Sequence, residues 1–190
     1  DQNFAPGSIV KFEHLNIDDG LSQNAGLAIF QDSRGYLWIG TQDGLNRYDG
    51  YSFKIFKHDP DDPNSISQNS ILAIAVASDG SLWIGTWGGG LNRMKDNRIT
   101  AYTSRDGLSY DEVSSLAEGR DGTIWVGTAD GLNRYNSLTK EFTVYHASAD
   151  PNRGIGNDYI VSLASDKEGK VWIGTLWGMV CCDPKTSQFT

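Results

Sequence analysis

Four aromatic residues in the turns of this chain are the side chains best suited to ligand recognition. Trp87 and Trp177 each lie in a glycine-rich segment that follows the sequence Ile-Gly-Thr. Tyr110 and Tyr159 each lie just before an apolar stretch that precedes the next Gly-Thr sequence in the chain. If successive apolar stretches are antiparallel strands, these tyrosines should lie on the same face as the two tryptophans. Exposed rings on one face can stack on sugar rings or form a docking patch. They can also pack against a neighbouring structural unit or another chain, so both interpretations stay open.

A polar column accompanies these aromatic residues. An acidic or amide side chain recurs just before one apolar stretch in each of four repeats: Asn24, Asn69, Asp111 and Asp158. Such a side chain can cap a turn by accepting a hydrogen bond from the backbone two residues on. If the four repeats are arranged around a common axis, the same residues would surround the mouth of the central channel, where they could contact a ligand. We count these four residues, with the four aromatic ones, as candidate ligand contacts.

No active site is evident in the sequence. The chain has no Ser/His/Asp constellation, no glycine-rich phosphate loop and no Cys/His cluster. Asp111 and Glu112 form the only close carboxylate pair before one of the apolar stretches. Catalysis requires asymmetric groups that converge on one point, and this pair alone does not supply them. We therefore expect no catalytic residue and no cofactor.

Metal binding is not expected either. The three histidines fall near the ends of separate repeats and should lie far apart: His14, His58 and His146. The acidic loop at residues 59–64 lacks the ligand spacing of an EF-hand. Cys181 and Cys182 are adjacent, and Cα atoms ~3.8 Å apart are too close for an unstrained disulfide. We expect both cysteines to be free thiols that fill space.

The composition excludes several classes of function. The chain has 190 residues, a net charge of −8 and a sequence pI of about 4.7. An acidic surface repels phosphate backbones and anionic lipids, so we expect no nucleic-acid partner and no membrane contact. No segment approaches the ~18 consecutive apolar residues that indicate a membrane span.

The elements that position the candidate residues repeat four times. A tryptophan phrase of the type Leu-Trp-Ile-Gly-Thr occurs at residues 36–41, 81–86, 123–128 and 170–175, with intervals of 42 to 47 residues. A period in the forties with short apolar stretches and glycine turns is typical of a β-propeller blade. One such unit cannot bury its own faces, so neighbouring units must stack. The sequence thus predicts an all-β fold, a β-propeller of four-stranded antiparallel blades.

Strand patterns give the expected blade boundaries. The blades are expected at about residues 25–58, 70–103, 112–147 and 159–190, the last of them partial, with a spare outer strand at about 9–15. The spare strand could complete the last blade and close a four-blade ring. Alternatively the chain is part of a longer array. We favour the array, because the chain stops inside a strand.

Residues that recur in every repeat are best explained by the needs of every blade. Burial of one tryptophan removes roughly 150–250 Å² from water, which contributes about 4–6 kcal/mol before opposing terms. We therefore expect all four repeated tryptophans in the core: Trp38, Trp83, Trp125 and Trp172. Arg47, Arg93 and Arg134 also recur, and we expect structural guanidinium groups between blades rather than a ligand-anion site.

The assembled repeat resembles the two-component regulator propeller repeat. The resemblance is fullest from Asp19-Gly-Leu-Ser-Gln-Asn24 through Tyr36-Leu-Trp-Ile-Gly-Thr41 to Gly44-Leu-Asn-Arg-Tyr-Asp-Gly50, and it covers nearly the whole chain from about Val10. The second repeat departs from it at Gly88-Gly-Gly90, and the fourth has the cysteine pair where Leu-Asn-Arg-Tyr is expected.

The resemblance implies the periplasmic sensor region of a bacterial hybrid two-component signalling protein. In that family the propellers are usually seven-bladed and often paired, and many members respond to oligosaccharides. A histidine kinase would then lie downstream in the parent protein. The resemblance therefore implies a non-catalytic module with an oligosaccharide or another small ligand. Self-association is a separate expectation, because a partial propeller exposes two blade faces.

Two other classes of function remain open. Propellers also carry polysaccharide lyases and glycosidases, and a fold does not by itself fix a function. A structural platform that binds other proteins is the second alternative. Product analysis with an oligosaccharide panel separates the enzyme from the sensor, and calorimetry with the same panel separates the sensor from the platform.

Overall fold

Four antiparallel sheets of four strands each make up the protein, as the sequence pattern predicts. The computed structural model describes residues 12–150 and 154–190. Strands follow one another along the chain and pair in the same order within every sheet. Each sheet is therefore one propeller blade, and the expectation of an all-β fold is confirmed.

The described residues contain sixteen short strands of two to six residues. Blade 1 contains β1 (Gly26–Gln31), β2 (Leu37–Thr41), β3 (Gly44–Tyr48) and β4 (Phe53–Phe56). Blade 2 contains β5 (Ile71–Val76), β6 (Leu82–Thr86), β7 (Leu91–Lys95) and β8 (Arg98–Tyr102). Blade 3 contains β9 (Val113–Glu118), β10 (Ile124–Thr128), β11 (Gly131–Asn136) and β12 (Glu141–Tyr145). Blade 4 contains β13 (Ile160–Ser165), β14 (Val171–Thr175), β15 (Gly178–Asp183) and β16 (Gln188–Phe189).

Single-turn 3-10 helices precede two of the blades. They span Ile17–Asp19 before blade 1 and Ser104–Asp106 before blade 3, and each has a capping box at its start. The spare outer strand expected at about residues 9–15 begins outside the described residues. Residues 12–15, which are described, carry no strand.

Consecutive blades pack face to face through three apolar clusters of the same pattern. In the cluster between blades 2 and 3, Trp83 and Leu91 come from blade 2. Val113, Ile124 and Val126 come from blade 3. Each second-strand tryptophan therefore packs against the blade that follows it in the chain.

This packing rule corrects one expectation about the core. Trp38, Trp83 and Trp125 are buried, with 7%, 1% and 0% of their surface exposed, as expected. The expectation is wrong for Trp172, which is 40% exposed. The reason is that within residues 12–150 and 154–190 no blade follows blade 4 to cover the indole.

The described blades form an open arc. Innermost strand β1 packs on β5, β5 on β9 and β9 on β13, but no equivalent packing joins β13 back to β1. The outward faces of both end blades carry exposed apolar side chains, including Ile29 on blade 1 and Met179 on blade 4. In this part of the chain the arrangement is therefore not a closed four-blade ring.

Two arginines lie over the second-strand tryptophans and bond to a carboxylate in the preceding turn. Arg93 bonds Asp79 at 2.7 Å, and its guanidinium carbon lies 5.4 Å from the centre of the Trp83 ring. Arg134 bonds Asp121 at 3.1 Å in the same way in blade 3. These two arginines therefore have a structural role, but each acidic partner belongs to the arginine's own blade, so the expectation of a bond between blades is wrong at both positions.

Candidate ligand-binding face

The loops that carry the candidate aromatic residues lie on one face of the arc. Because strands alternate in direction, the loop from the second to the third strand lies at the same end as the segment leading into the first strand. Trp87 forms a β-bridge with Glu112, which joins blade 2 to blade 3. The backbone N–H groups of Gly88 and Gly90 both donate to the carbonyl of Asp111, at 3.1 and 2.8 Å.

A side-chain hydrogen bond extends this line to blade 4. The hydroxyl of Tyr159 donates to Oε1 of Glu112 over 3.1 Å. This hydrogen bond, together with the negative charge of Glu112, raises the pKa of Tyr159 above its ordinary value, so the phenol stays protonated. Trp87, Glu112 and Tyr159 thus form a continuous polar and aromatic line across three blades. We call Trp87, Tyr110, Glu112 and Tyr159 the aromatic face.

The rings of the aromatic face are open to solvent. Trp87 is 59% exposed, Tyr110 is 49% exposed and Tyr159 is 37% exposed. Trp177 is 82% exposed, but in the described part of the chain no hydrogen bond or ring contact connects its side chain to the other three. The structure therefore links Trp87 to Tyr159 through Glu112, and in the described residues no side-chain hydrogen bond or ring contact links Tyr110 or Trp177 to them.

Buried asparagines hold the segments that lead into each blade. Asn133 is fully buried in the third strand of blade 3; its side-chain oxygen accepts from the backbone N–H of Ser109 and its amide donates to the Ser109 hydroxyl, both at 2.8 Å. The same contacts join Asn46 to Ser22 and Asn92 to Ser67. Ser109 immediately precedes Tyr110, so this anchor fixes the backbone from which the aromatic face projects.

Blade 4 lacks this anchor. Val180 occupies the position of the buried asparagine, and Gly156 occupies the position of the serine. A Cβ placed on Gly156 would lie 3.8 Å from Val180 Cγ2, so an apolar contact replaces the polar pair. In the fourth repeat, both residues of the asparagine–serine pair are therefore replaced together, by Val180 and Gly156.

The polar column engages the backbone of its own blade junction. One side-chain oxygen of each residue accepts a backbone N–H at 2.6 to 3.0 Å, from 7 to 11 residues upstream. The donors are Ile17 for Asn24, His58 for Asn69, Ser104 for Asp111 and Ala147 for Asp158. The column therefore stabilises the turns, through bonds that run back along the chain rather than two residues forward. Its contact with a ligand stays a prediction.

Two features of the site were not found from the sequence. Glu112 joins Trp87 and Tyr159, which a single repeat cannot show because the partners lie in different blades. A groove of about 630 Å³ lies on the outer rim between blades 1 and 2, lined among others by Lys54, Met94 and Ile99. This groove lies away from the aromatic face.

A group of possible metal ligands surrounds His146. Its imidazole lies beside Asp130 and Asp158, and one ligand atom from each of the three residues lies within 4.8 Å of the others. From the sequence, no metal is expected, because the histidines fall in separate repeats and the acidic loop at residues 59–64 lacks EF-hand spacing. That expectation does not consider the carboxylates that the turns of blades 3 and 4 bring to His146.

Comparison with known proteins places this geometry in a family. The family model described as "Two component regulator propeller" matches residues 20–43, 65–88, 107–130 and 154–177. The chain belongs to the two-component regulator propeller family. Each matched segment runs from the turn before the first strand into the loop after the second. The segments therefore include the polar column and, at residues 87, 110, 159 and 177, all the candidate aromatic residues.

Relatives of this propeller include signalling proteins. The chain is 47% identical over 62 residues to histidine kinase P4 of Formosa agariphila, a match that covers 33% of this chain and 4% of the kinase. The propeller therefore spans only a small fraction of that relative's length.

Solved structures share the fold at lower identity. An extracellular domain from B. thetaiotaomicron, of a protein described as a hybrid two-component system, aligns with a TM-score of 0.65 and 24% identity over 94% of this chain and 31% of that one. A second, described as a one-component system, gives 0.73 and 21% over 95% and 27%. A streptogramin B lyase gives 0.67 and 16% over 97% and 58%. At these identities the similarity shows the fold alone. The described residues of the propeller include no helix with the length and hydropathy needed for a membrane span.

Proposed function

We propose that this propeller is the extracytoplasmic ligand-recognition part of a two-component signalling protein and that its aromatic face binds a neutral oligosaccharide. Family membership and the similarity to a histidine kinase support the signalling role. The extracellular domains among the structural neighbours support a location outside the cytoplasm. The single observation that carries the ligand assignment is the line from Trp87 through Glu112 to Tyr159.

The chemistry of this line suits a sugar. An exposed indole and two phenol rings offer flat apolar surfaces for the C–H faces of pyranose rings. Glu112 accepts hydrogen bonds, and the second oxygen of its carboxylate is available beside the one that accepts from Tyr159. A sugar hydroxyl that donates to this oxygen would fix the ring orientation. The backbone bridge between Trp87 and Glu112 keeps both groups in place before a ligand arrives.

Charge selects a neutral ligand over an anionic one. The chain has a net charge of −8, Glu112 belongs to the aromatic face, and Asp111 directly precedes it in the chain. A uronic or sulfated oligosaccharide would bring like charges together on this face, which disfavours binding. Neutral glucose- or mannose-based chains avoid this repulsion.

Glu112 of the aromatic face and the adjacent Asp111 already have structural partners, which favours recognition over catalysis. Asp111 accepts the backbone N–H of Ser104 at 2.6 Å, and Glu112 accepts the Tyr159 hydroxyl. In the described part of the chain, neither carboxylate makes a hydrogen bond or ion pair with a second carboxylate, a histidine, a lysine or an arginine, whereas a glycosidase requires a paired acid and base. Product analysis by mass spectrometry with the oligosaccharides below should detect no cleavage, and any cleavage would overturn the non-catalytic assignment.

Calorimetric titration of the 190-residue chain tests the proposal. The panel contains neutral hexasaccharides of β-1,3-linked glucose, β-1,4-linked glucose and β-1,4-linked mannose, and one hexamer of uronic acid. We expect at least one neutral hexamer to bind and the uronic acid to bind more weakly or not at all. Absence of heat with every neutral hexamer at millimolar concentration would contradict sugar recognition by this face.

Matched variants locate the site. Trp87→Ala should weaken binding at least fivefold, because removal of an aromatic anchor typically costs more than 1 kcal/mol. Tyr51→Ala is the control: Tyr51 is 95% exposed in the β3–β4 turn, at the opposite end of the strands. Circular dichroism confirms that both variants fold. Equal weakening by the two substitutions would contradict the aromatic face as the site.

A further inference from the structure

Three potential metal ligands converge at the junction of blades 3 and 4. Asp130 lies in the turn between β10 and β11, His146 directly follows β12, and Asp158 lies two residues before β13. Nδ1 of His146 is 3.4 Å from Oδ1 of Asp158. One ring nitrogen of His146 and one carboxylate oxygen from each aspartate all lie within 4.8 Å of one another. We propose that Asp130, His146 and Asp158 bind one divalent metal ion, preferentially Zn²⁺.

The backbone around Gly131 holds these three residues together. Gly131 follows Asp130 directly, and its N–H donates to the carbonyl of Asp158 at 2.7 Å. The His146 ring packs over the same glycine, since a Cβ there would lie 3.2 Å from Nδ1 and 3.3 Å from Cε1. Gly131 also has a φ of +117°, a backbone conformation that residues with a side chain rarely adopt. The ligand residues are thus brought together by backbone contacts that exist without an ion.

The corresponding junction of blades 1 and 2 shows what is special about this one. There Asp43 stands in place of Asp130, Lys57 in place of His146 and Asn69 in place of Asp158. The Lys57 ammonium bonds Asp43 at 2.7 Å, so the lysine itself supplies the cation. At the junction of blades 3 and 4, a histidine replaces the lysine and an aspartate replaces the asparagine. In the described part of the chain no lysine or arginine forms an ion pair with Asp130 or Asp158, so a bound dication would compensate the two carboxylates.

The ligand types favour zinc. Zn²⁺ takes imidazole nitrogen and carboxylate oxygen at ~2.0–2.2 Å, and three protein ligands leave its fourth position to solvent. Ligand atoms on a tetrahedral ion lie about 3.4 Å apart by this geometry, so the carboxylates must close in slightly. Asp130 and His146 are exposed and can make this movement, whereas Oδ1 of Asp158 is held in place by the backbone N–H of Ala147. Ca²⁺ prefers six to eight oxygen ligands, which three side chains with one nitrogen do not provide.

The cysteines do not compete for the ion. Cys182 is fully buried, and burial raises the pKa of its thiol to about 11. Cys181 is also buried, and its pKa is raised for the same reason. Metal coordination needs the thiolate, so both side chains stay protonated and inert at neutral pH.

Calorimetric titration of Zn²⁺ into the untagged chain, after removal of metals with a chelator, tests this assignment. We expect one ion per chain and an increase in melting temperature on zinc addition, because the ion binds only the folded junction. His146→Ala should weaken binding at least tenfold and remove the increase, whereas His14→Ala, a change at an exposed histidine elsewhere, should leave both unchanged.

A second variant rebuilds the earlier junction. The double substitution His146→Lys with Asp158→Asn copies Lys57 and Asn69, which the same backbone already accommodates in blade 1. It should fold and lose zinc binding. Absence of zinc binding at millimolar concentration, unchanged binding in either variant, or Ca²⁺ binding as tight as Zn²⁺ would overturn the assignment. The experiment needs no oligosaccharide, so its outcome is independent of the function proposed above.

Discussion

Gly85 of blade 2 lies so close to Val113 of blade 3 that no side chain fits between them. A Cβ on Gly85 would lie 2.6 Å from Cγ1 of Val113 and 2.9 Å from its carbonyl oxygen. Gly40 has the same relationship with Ile71, and Gly127 has it with Ile160. The glycine of the repeated phrase is therefore a point of close approach between consecutive blades.

Substitution of this glycine should separate the blades. We expect Gly85→Ala to lower the free energy of unfolding by about 1–3 kcal/mol, the usual range for overpacking. Gly174→Ala is the matched control in blade 4, where the added Cβ meets only Ser162 of its own blade and no following blade. Urea unfolding followed by circular dichroism measures both. An equal or larger loss in Gly174→Ala would contradict the role of inter-blade contact.

Asp32 supplies an acceptor for a buried indole. Its Oδ2 accepts from Nε1 of Trp38 at 3.0 Å, and its Oδ1 accepts two backbone N–H groups of the turn. Asp166 makes the equivalent bond to Trp172 at 2.9 Å, but that indole is half-exposed. Asp32→Ala should therefore destabilise the protein by about 1–3 kcal/mol, because it leaves a buried donor unpaired.

Asp166→Ala should cost less, since water can replace the lost acceptor at the exposed Trp172. Thermal unfolding of both variants under the same conditions gives the comparison. The buried-donor account would be wrong if the Asp166 variant lost as much stability as the Asp32 variant.

Acid should selectively weaken the contacts of Asp79. Partial burial opposes ionisation of this carboxyl, but hydrogen bonds from Lys95 and Ser81 and the charge of Arg93 outweigh it and hold the pKa well below its usual range. A depressed folded-state pKa contributes stability that is fully present above the unfolded value of about 3.9 and is lost as the pH falls through the folded value.

Asp79→Asn should therefore reduce stability at pH 7 by no more than about 1 kcal/mol, because the side chain is 42% exposed and screened by solvent. The difference between the two proteins should shrink progressively below about pH 4. Urea unfolding at pH 7, 5, 4 and 3 measures it. A difference that grows in acid would have the wrong sign for this account.

The free faces of the arc should associate with each other. The outward face of blade 4 carries Met179, which is 71% exposed, and that of blade 1 carries Ile29, which is 69% exposed. Because every internal interface joins these same two kinds of face, we predict head-to-tail association of chains in solution. Light scattering should show a mass that rises with concentration.

Either Met179→Asp or Ile29→Asp should lower that mass, because one charged face is enough to block a head-to-tail contact. Tyr51→Asp, on an exposed turn outside both faces, should not change it. A constant monomer mass for the unmodified chain would contradict this prediction.

Much of the fold follows from the repeats, because each blade meets the same needs. The phrase around Trp83 predicts a strand, its partner strands and the burial of the indole without any long-range information. Trp172 shows the limit of that inference, since its burial depends on a following blade and not on its own repeat. The contact between Tyr159 and Glu112 and the grouping around His146 depend on residues from different blades, so a single repeat carries no signal for them.

Fluorine NMR of the chain labelled with 5-fluorotryptophan tests the central claim most directly. Substitution of each tryptophan by phenylalanine assigns the six signals. On addition of the three neutral hexasaccharides as a mixture, the account predicts a saturable shift of the Trp87 signal and none for the buried Trp83 and Trp125. A Trp87 signal that does not move while the Trp172 signal does, or no shift at any position, would contradict recognition at the aromatic face.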